Sequence, residues 1–342
     1  MMIARSVRRL EAYTPGEQPR ARRVVKLNTN ENPYPPSPRC SEVLRGFDPD
    51  KLRRYPDPVF TDLRTALAEL NGTTPEQIFV GNGSDEVLSV AARTFVEDDE
   101  IIGSLDPSYS LYKTLAAIRN VKWAGAGRLP PKTSLFLWTN PNAPTGEFAE
   151  PEEIAAFARR FRGVLIVDEA YADFSRANCM RLATARGNRN VMVMRTFSKS
   201  YSLAGLRVGY CVGPEDLVAA MYKVKDSYNV DAVAQAVALA AMRDQAWMRT
   251  NVAKVVKTRA RFVRQLESRG WNVIPSESNF VFARPPAPAK AADIFEALRR
   301  ENIFVRYFPG PKTGDRLRIT IGTDEQMDKL VSVLKELVAA EG

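Results

Sequence analysis

The stretch Thr196-Phe-Ser-Lys-Ser-Tyr-Ser-Leu-Ala-Gly-Leu-Arg-Val-Gly-Tyr210 places an amine, a hydroxyl and a guanidinium within one short segment. It follows the apolar run Val191-Met-Val-Met-Arg-Thr196, which predicts a buried strand. Ser198 and Lys199 therefore leave the carboxyl end of a strand, where open parallel sheets bind ligands. A lysine amine can form a Schiff base with a carbonyl compound, and Ser198 and Arg207 can bind a phosphate. Taken alone, Lys199 also fits a surface lysine on a serine-rich loop.

Short apolar runs alternate with helical patterns along the middle of the chain, which predicts a mostly parallel α/β sheet. The predicted strands of this sheet cover residues 77–80, 100–103, 134–138, 164–167 and 191–194. After about residue 230, the pattern predicts one long helical tract over 232–266 and a final helix from Asp324. Between them it predicts strands at 271–274, 279–282, 303–306 and 316–321 and a helix at 292–301. This mixture indicates a smaller α+β domain.

Polar motifs directly follow the predicted strands, at residues 81–86, 106–109, 140–146, 168–171 and 198–199. Their convergence on one edge of the sheet is expected for a ligand site. In Gly81-Asn-Gly-Ser-Asp-Glu86 the glycines allow a tight turn, and Ser84 and Asp85 begin a helix whose N–H groups favour a phosphate. A simple helix cap is the alternative. Asp168 ends an apolar strand, where a carboxylate needs a partner.

The chain has 342 residues, of which 45% are hydrophobic, so it can bury a large core and its length indicates about two domains. No stretch approaches the roughly 18 consecutive apolar residues of a membrane span, and no signal peptide is evident at the N-terminus. We therefore expect a cytoplasmic protein without membrane contacts. Cys40, Cys179 and Cys211 are widely spaced and outside any CxxC pattern, which predicts buried thiols rather than a disulfide or a zinc site.

The net charge of +9 is compatible with nucleic acid, an anionic membrane surface or anionic small molecules as partners. Residues 1–26 carry seven positive and two negative charges, but no helix-turn-helix or RNA-binding motif accompanies them. We therefore expect a solvated basic N-terminus, phosphorylated ligands and no nucleic acid partner. The chain contains no histidine, which excludes histidine bases and most zinc or iron sites and leaves lysine, tyrosine and carboxylates to move protons.

The 196–210 stretch closely resembles the lysine motif of fold-type-I pyridoxal-phosphate aminotransferases, specifically of their histidinol-phosphate aminotransferase branch. Stretches similar to the other signatures of that family occur in the same order as in the family and extend over nearly the whole chain, at residues 26–38, 54–58, 81–86, 140–146, 168–171 and 317–322. The resemblance implies a large domain over residues 31–232, built on a mostly parallel seven-stranded sheet flanked by helices. It also implies a smaller α+β domain formed by residues 1–30 together with 233–342.

The resemblance implies that pyridoxal 5'-phosphate is the cofactor and that Lys199 binds it as a Schiff base and moves the proton in the reaction. Asp168 would pair with the protonated pyridine nitrogen, Tyr171 would hydrogen-bond the phenolate oxygen, and Tyr109 would lie against the ring. The expected phosphate-binding residues are Ser84, Asp85, Ser198 and Arg207.

One motif departs from the common form of the family. The usual pattern has an asparagine immediately before Pro-Thr-Gly, where this chain has Ala143. We therefore expect Asn142 to make the phenolate contact.

Tyr55 matches a family tyrosine that reaches the cofactor phosphate of the partner subunit, so the resemblance implies a homodimer with shared active sites.

Arg318 points opposite to its apolar neighbours in a predicted strand. The family uses this arginine to bind the anionic group of the substrate. Arg306, Tyr13 and Asn32 are further candidates for substrate binding; for Arg306 and Tyr13, a solvated surface position is the alternative.

The function implied by the resemblance is transamination between histidinol phosphate and 2-oxoglutarate in histidine biosynthesis, with ping-pong kinetics. The alternatives on the same scaffold are a broad aromatic or aliphatic amino-acid aminotransferase and a threonine-phosphate decarboxylase. A ligand-sensing regulator would need a DNA-binding domain, and we expect none in the short segment before Lys26. A catalytically inactive binding module is disfavoured by the presence of Lys199, Asp168 and Arg207.

Overall fold

The computed structural model describes residues 2–3, 5–8, 10, 16–19, 24–125, 127 and 129–340. Tyr13 lies outside these residues. The helices of the described part are α1 Arg5–Arg8, α2 Pro38–Gly46, α3 Thr61–Asn71, α4 Ser84–Phe95, α5 Leu111–Arg119, α6 Pro151–Arg160, α7 Met180–Thr184, α8 Glu215–Val224, α9 Ala232–Met242, α10 Gln245–Glu267, α11 Ala291–Arg300 and α12 Asp324–Ala340. The strands are β1 Val25–Lys26, β2 Ile78–Gly81, β3 Ile101–Ser104, β4 Lys122–Gly125, β5 Thr133–Thr139, β6 Val164–Asp168, β7 Val191–Thr196, β8 Gly209–Val212, β9 Asn272–Ile274, β10 Phe280–Arg284, β11 Ile303–Phe304, β12 Arg306–Tyr307 and β13 Leu317–Thr320.

A seven-stranded sheet forms the centre of the fold, in the order β2-β8-β7-β6-β5-β3-β4. All adjacent pairs are parallel except those of β8, which runs antiparallel to β2 and β7. This confirms the mostly parallel seven-stranded sheet expected from the sequence. The five apolar runs predicted as strands correspond to β2, β3, β5, β6 and β7.

Both faces of the seven-stranded sheet are covered. On β5, Leu135 and Leu137 pack in one apolar cluster, whereas Phe136 and Trp138 pack in another. Successive side chains of a strand point to opposite faces, so a sheet buried on both sides needs a continuous apolar run rather than an alternating one. The three cysteines are buried as free thiols, as expected.

The C-terminal part contains an antiparallel sheet in the order β12-β13-β10-β9. The segment near the N-terminus joins this part, because β1 pairs with β11 in parallel and the amide of Thr320 donates to the carbonyl of Leu27. Residues 25–30 are thereby held beside β13. The division into domains at residues 31 and 232 stays a prediction.

The single helical tract predicted over 232–266 is wrong, because the structure has two helices there, α9 and α10. Asp244 lies between them, and its side chain accepts a hydrogen bond from the amide of Trp247 at the start of α10. Aspartate competes for helix backbone amides and so favours an N-cap over a helix interior. The predicted strand 303–306 is likewise divided, with β11 pairing with β1 and β12 pairing with β13.

No helix in the described residues is both long and apolar enough to cross a bilayer.

Candidate active site

A cavity of about 520 Å³ lies at the carboxyl ends of the parallel strands and is closed on the other side by β13 and the loop before it. Ten of the residues predicted for the site line this cavity: Ser84, Asp85, Tyr109, Asp168, Tyr171, Ser198, Lys199, Arg207, Arg306 and Arg318. They come from separate motifs that the parallel sheet brings to one edge, as the strand order requires.

Lys199 is half-buried at the wall of this cavity, and its Nζ donates a hydrogen bond to the backbone carbonyl of Thr29 at 3.0 Å. Burial, aided by the positive charge of Arg318, lowers the pKa of the Lys199 amine to about 8. A large share of the amine is therefore neutral in mildly alkaline solution. Only a neutral amine can attack a carbonyl carbon or accept a proton, so the environment of Lys199 favours both roles.

Asp168 ends β6 on the cavity wall and is only 3% exposed. Its Oδ2 accepts a hydrogen bond from the hydroxyl of Tyr112 at 2.7 Å, and its Oδ1 accepts one from the amide of Ala170 at 3.1 Å. Burial raises the pKa of the Asp168 carboxyl to about 6 despite these hydrogen bonds. A cationic ligand group next to Asp168 would reverse this shift and restore the carboxylate.

The N-terminus of α4 and the side chains of Ser198 and Arg207 form a polar cup at one end of the cavity. Arg207 Nη1 lies 3.4 Å from Ser198 Oγ, and Nη2 lies 3.3 Å from Asp85 Oδ2. Gly83 precedes the helix with a φ of 81°, and a Cβ at this position would lie 2.5 Å from Arg207 Nη2. Glycine is therefore required both by the left-handed backbone and by the close approach of the guanidinium. Helix N–H groups, a hydroxyl and a guanidinium together suit a phosphate.

Tyr171 contacts a buried asparagine from the N-terminal segment. The side-chain amide of Asn30 donates to the hydroxyl of Tyr171 at 2.9 Å, and its Oδ1 accepts from the hydroxyl of Thr320 at 3.0 Å. The carbonyl of Asn30 accepts from the side chain of Asn279 at 2.9 Å. Asn30 has a φ of 56°, a left-handed conformation that asparagine tolerates better than most residues. Asn30 therefore holds Tyr171 against the C-terminal sheet.

Tyr109 and Tyr112 lie beside each other near the start of α5, with their rings edge to face at 5.6 Å between centroids. The hydroxyl of Tyr109 donates to Asp85 Oδ1 at 3.2 Å, next to the polar cup. Tyr109 thus lies between the cup and Asp168, on the cavity wall.

Two arginines form the opposite end of the cavity. Arg306 and Arg318 are directly opposite each other on β12 and β13, and both guanidinium carbons lie over the ring of Phe308, at 5.2 and 5.1 Å from its centroid. Arg318 Nη2 also donates to the carbonyl of Asn28 at 2.8 Å. Like charges placed directly opposite on neighbouring strands are unfavourable, so an anion bound between them stabilises the pair.

The model of the family described as "Aminotransferase class I and II" matches residues 22–334. The chain belongs to this family. Among its curated relatives, histidinol-phosphate aminotransferase 1 of Nostoc sp. is 40% identical, over 97% of each chain, and the histidinol-phosphate aminotransferase of Synechocystis sp. is 41% identical, over 99% of each. The enzyme of the same name from Geobacter sp. is 42% identical, over 98% of each.

Solved structures of other proteins share the fold. Histidinol-phosphate aminotransferase from Sinorhizobium meliloti, solved in complex with pyridoxal-5'-phosphate, superposes with a TM-score of 0.88 at 24% identity, over 100% of this chain and 98% of that one. L-threonine-O-3-phosphate decarboxylase from Porphyromonas gingivalis superposes with a TM-score of 0.81 at 22% identity, over 92% of this chain and 100% of that one. At these identities the likeness concerns the fold alone.

Three residues predicted for the aminotransferase site have side chains turned to other contacts. The amide of Asn142 donates to the carbonyl of Pro107 and the hydroxyl of Thr145, each at 3.0 Å, so a phenolate contact requires one of these bonds to be replaced. The amide of Asn32 lies 3.2 Å from the carbonyls of Lys199 and Ser200, where it supports the lysine loop. Neither is among the described residues that line the cavity.

Tyr55 is the third of these residues, and it lies on the surface rather than in the cavity of its own chain. Its side chain is 79% exposed and stacks on the ring of Tyr228, with 4.3 Å between centroids. The contact with a partner subunit stays a prediction.

Two residues that the sequence reasoning missed, Asn30 and Tyr112, bond directly to the predicted groups. Asn30 lies within the stretch 26–38 and Tyr112 lies three residues after the motif 106–109, and this position was the available signal. The contact itself could not be anticipated, because Asn30 lies 141 residues from Tyr171 and Tyr112 lies 56 residues from Asp168.

The sequence reasoning also missed the ion pairs at the rim of the cavity. Asp106 Oδ2 lies 2.7 Å from Lys312 Nζ, and Asp106 Oδ1 lies 3.3 Å from Lys113 Nζ. Lys312 belongs to the loop before β13, so its pair with Asp106 joins the two sides of the cavity mouth.

Proposed function

We propose that this chain is a pyridoxal-phosphate-dependent aminotransferase that converts histidinol phosphate and 2-oxoglutarate into imidazole-acetol phosphate and glutamate. The observation that carries the proposal is the meeting of four features in one cavity: a half-buried amine, a buried carboxyl, a phosphate-type cup and an arginine pair. The full-length relatives at 40–42% identity bear the name of this enzyme. Their match extends over both ends of the cavity.

The residues of the cavity fit pyridoxal phosphate at three separate points. The cup at Gly83, Ser198 and Arg207 has no room for a side chain at Gly83 and presents donors to a phosphate. The buried Asp168 suits a protonated pyridine nitrogen, and the amine of Lys199, whose pKa is lowered, suits an aldehyde. When bound, the cofactor supplies an electron sink for the bond broken at the α-carbon of the substrate.

The chain's own groups perform the proton chemistry. As a neutral amine, Lys199 Nζ accepts the proton that leaves the α-carbon of the substrate. Asp168 would pair as a carboxylate with a protonated pyridine nitrogen, because a buried carboxylate is stable beside a cation. The hydroxyl of Tyr171, which accepts a hydrogen bond from Asn30, would donate to a phenolate oxygen. The reverse sequence on 2-oxoglutarate uses the same groups, so the kinetics are ping-pong.

Substrate selection is the task of the arginine pair. Arg306 and Arg318 place two guanidiniums over one ring, that of Phe308, at the wall of the cavity. A phosphate dianion can bind both guanidiniums in bidentate fashion, whereas a single carboxylate neutralises only one charge. The same pair binds the distal carboxylate of glutamate more weakly. This arrangement favours a phosphorylated amine as one of the two substrates.

A substrate panel tests the proposal. Purified protein loaded with pyridoxal phosphate is given 2-oxoglutarate with histidinol phosphate, histidinol, phenylalanine or threonine phosphate, and glutamate and carbon dioxide are measured. We expect the highest kcat/KM with histidinol phosphate and a loss of at least about 100-fold with histidinol, since a charge-assisted bidentate contact contributes about 3 kcal/mol. Equal rates with phenylalanine would favour a broad aminotransferase. Carbon dioxide from threonine phosphate would favour the decarboxylase.

We further propose a cytoplasmic homodimer with shared sites. The stacked rings of Tyr55 and Tyr228, both exposed on the surface, support this assembly because adjoining apolar groups on a surface can form part of an interface. Each Tyr55 would then complete the phosphate cup of the other subunit.

A further inference from the structure

A chain of polar contacts joins the two residues that directly follow Asp168 and Lys199. Glu169 Oε2 accepts from Arg195 Nε at 2.9 Å and Nη2 at 2.7 Å. Arg195 Nη1 donates to Asp173 Oδ1 at 2.9 Å, and the hydroxyl of Ser200 donates to Asp173 Oδ2. The path therefore runs without a break from Glu169 to Ser200.

The four side chains of this path are separate from the substrate cavity. Glu169, Arg195, Asp173 and Ser200 are absent from its lining in the described part of the chain. Glu169 follows β6, Arg195 is in β7, and Ser200 follows the lysine, so the path links the ends of two neighbouring parallel strands. Asp173, in the turn just after Tyr171, contacts Arg195 in β7 and Ser200 just after that strand. The backbone segments that carry Asp168, Tyr171 and Lys199 are thus linked through Arg195 and Asp173.

Stability alone does not explain such a network. The side chain of Glu169 is fully buried and that of Arg195 is 14% exposed, and burial raises the pKa of the Glu169 carboxyl in spite of the arginine. Removing two charges from water costs several kcal/mol for each ion, so apolar residues of similar volume often give equal or greater stability. The guanidinium of Arg195 instead fixes the geometry of its partners, because its planar set of donors allows few arrangements of the two carboxylates.

We propose that Arg195 is a positioning residue that, together with Glu169, Asp173 and Ser200, fixes the distance between the carboxylate of Asp168 and the amine of Lys199. The inference rests on the roles proposed for those two residues. The shortest link to the lysine is the Ser200 hydroxyl, which holds the backbone on the C-terminal side of Lys199. Without this hydrogen bond, the backbone after Lys199 is no longer linked through Asp173 and Arg195 to Glu169, the residue that follows β6.

The variant Ser200→Ala removes this link alone, and the chain offers a matched control. Ser134 on β5 also has a buried hydroxyl, which has no hydrogen-bond partner among the described residues, so Ser134→Ala removes the same atom without breaking a contact. Ser200→Thr retains a hydroxyl and should restore the link. Arg195→Lys retains the charge but loses the two-pronged contact with Glu169.

The first measurement uses cofactor-free protein. Lys199 is labelled with acetic anhydride across a pH series, with the exposed Lys329 as internal reference, and the products are counted by mass spectrometry. The charged groups acting on the amine, Arg318, Arg207, Asp85 and Glu31, are unchanged in all variants. We expect a labelling midpoint near 8 in the wild-type protein and in Ser134→Ala. In Ser200→Ala and Arg195→Lys the midpoint should rise by about one pH unit, because a loosened loop admits water to the amine.

The second measurement is steady-state kinetics on the loaded enzyme. Ser200→Ala should lower kcat about 10-fold with little change in KM, since misplacing a reacting group by a fraction of an ångström acts on the chemical step. Ser200→Thr should recover most of that loss. If both Ser200→Ala and Arg195→Lys had the wild-type labelling midpoint and the wild-type kcat, the proposal would be overturned. The same holds if these variants had a lower Tm but neither a raised midpoint nor a lowered kcat. The labelling measurement needs no substrate, so it is independent of the proposed function. If the wild-type protein were inactive on histidinol phosphate but the variants still shifted the labelling midpoint, the proposed function would be refuted and the positioning role of the network would stand.

Discussion

At the residue scale, burial acts in opposite directions on the two central groups of the site. It lowers the pKa of Lys199 to about 8 and raises that of Asp168 to about 6, so both move towards their neutral forms in the absence of a cofactor. A neutral lysine can react with an aldehyde, and a cation beside Asp168 would lower the pKa of its carboxyl again and stabilise the carboxylate. The site is therefore prepared for a ligand that carries both a carbonyl and a positive charge.

Lys199→Ala separates covalent from non-covalent binding of the cofactor. The cup at Arg207 and the carboxylate of Asp168 remain, so the variant should still bind pyridoxal phosphate. It should yield no borohydride-reducible adduct, and kcat should fall by more than about 1,000-fold because both the covalent attachment and the proton-accepting amine are lost. Mass spectrometry after borohydride treatment checks the first point and glutamate release the second. Transamination at the wild-type rate would remove Lys199 from the mechanism.

Asp168→Asn should have opposite effects on cofactor-free stability and on catalysis. A carboxyl whose folded pKa of about 6 exceeds its ordinary 3.8 destabilises the folded protein as pH rises from about 4 to 6, and the cost then stays constant. Asparagine avoids this cost. Cofactor-free Asp168→Asn should therefore exceed the wild-type protein in stability above pH 6, by at most about 3 kcal/mol for a shift of about two units.

Urea unfolding of both cofactor-free proteins at pH 4 and pH 8 measures this difference. In the same variant, the half-reaction with histidinol phosphate should slow by about 1,000-fold or more, because an amide cannot keep the pyridine nitrogen protonated. A stability difference that does not change between the two pH values would contradict the buried, raised pKa of Asp168.

At the scale of elements, the sequence was most informative where a parallel strand ends in a polar motif. The runs that became β6 and β7 are continuous and apolar, so their ends could be located to within one or two residues, and Asp168 and Lys199 with them. The family resemblance supplied what the pattern did not, including the seven-stranded count. Contacts between distant segments were beyond reach, because nothing in a short window relates Asn30 to Tyr171 or Ser200 to Asp173.

Asn30 allows backbone strain to be separated from a lost side-chain contact. Both Asn30→Gly and Asn30→Ala remove the bond to Tyr171, but only alanine must adopt a φ of 56° with a Cβ. We expect alanine to be about 1 kcal/mol less stable than glycine. Both should raise, by a similar amount, the pH midpoint of the absorbance change of the bound cofactor, because Tyr171 is no longer held towards the phenolate oxygen.

The matched control is Asn120, an exposed residue with a φ of 60° at the end of α5. Its glycine and alanine variants should show the same difference in stability and an unchanged absorbance midpoint. An Asn30→Gly enzyme with the wild-type midpoint would show that Tyr171 is oriented by other contacts.

At the scale of the whole molecule, three consecutive residues near the N-terminus join the two sheets at the site. The carbonyl of Asn28 accepts from Arg318, the carbonyl of Thr29 accepts from Lys199, and the side chain of Asn30 donates to Tyr171. Strand β13 and the edge of the large sheet that lines the cavity are therefore connected through one segment. In the sequence, residues 28–30 are far from Arg318, Lys199 and Tyr171, so this connection could not be predicted.

Assembly gives the last prediction, and it rests on Tyr55. If Tyr55 completes the phosphate cup of a second subunit, each active site is shared across a two-fold interface, and residues from two chains are needed for each turnover. A Lys199→Ala chain and a Tyr55→Asp chain should each be inactive, the second because a carboxylate repels the cofactor phosphate. A mixed dimer contains one site built from the intact Lys199 of one chain and the intact Tyr55 of the other.

Mixing the two variants under conditions of subunit exchange should therefore restore about a quarter of the wild-type activity, since half of the dimers are mixed and each carries one good site of two. Glutamate release before and after exchange measures the gain, with analytical ultracentrifugation as the check on assembly. Tyr55→Phe is too mild for this purpose, because Arg207, Ser198 and the start of α4 still bind the phosphate. A fully active monomer at assay concentration, or no gain after complete exchange, would show that Tyr55 acts within its own chain or not at all.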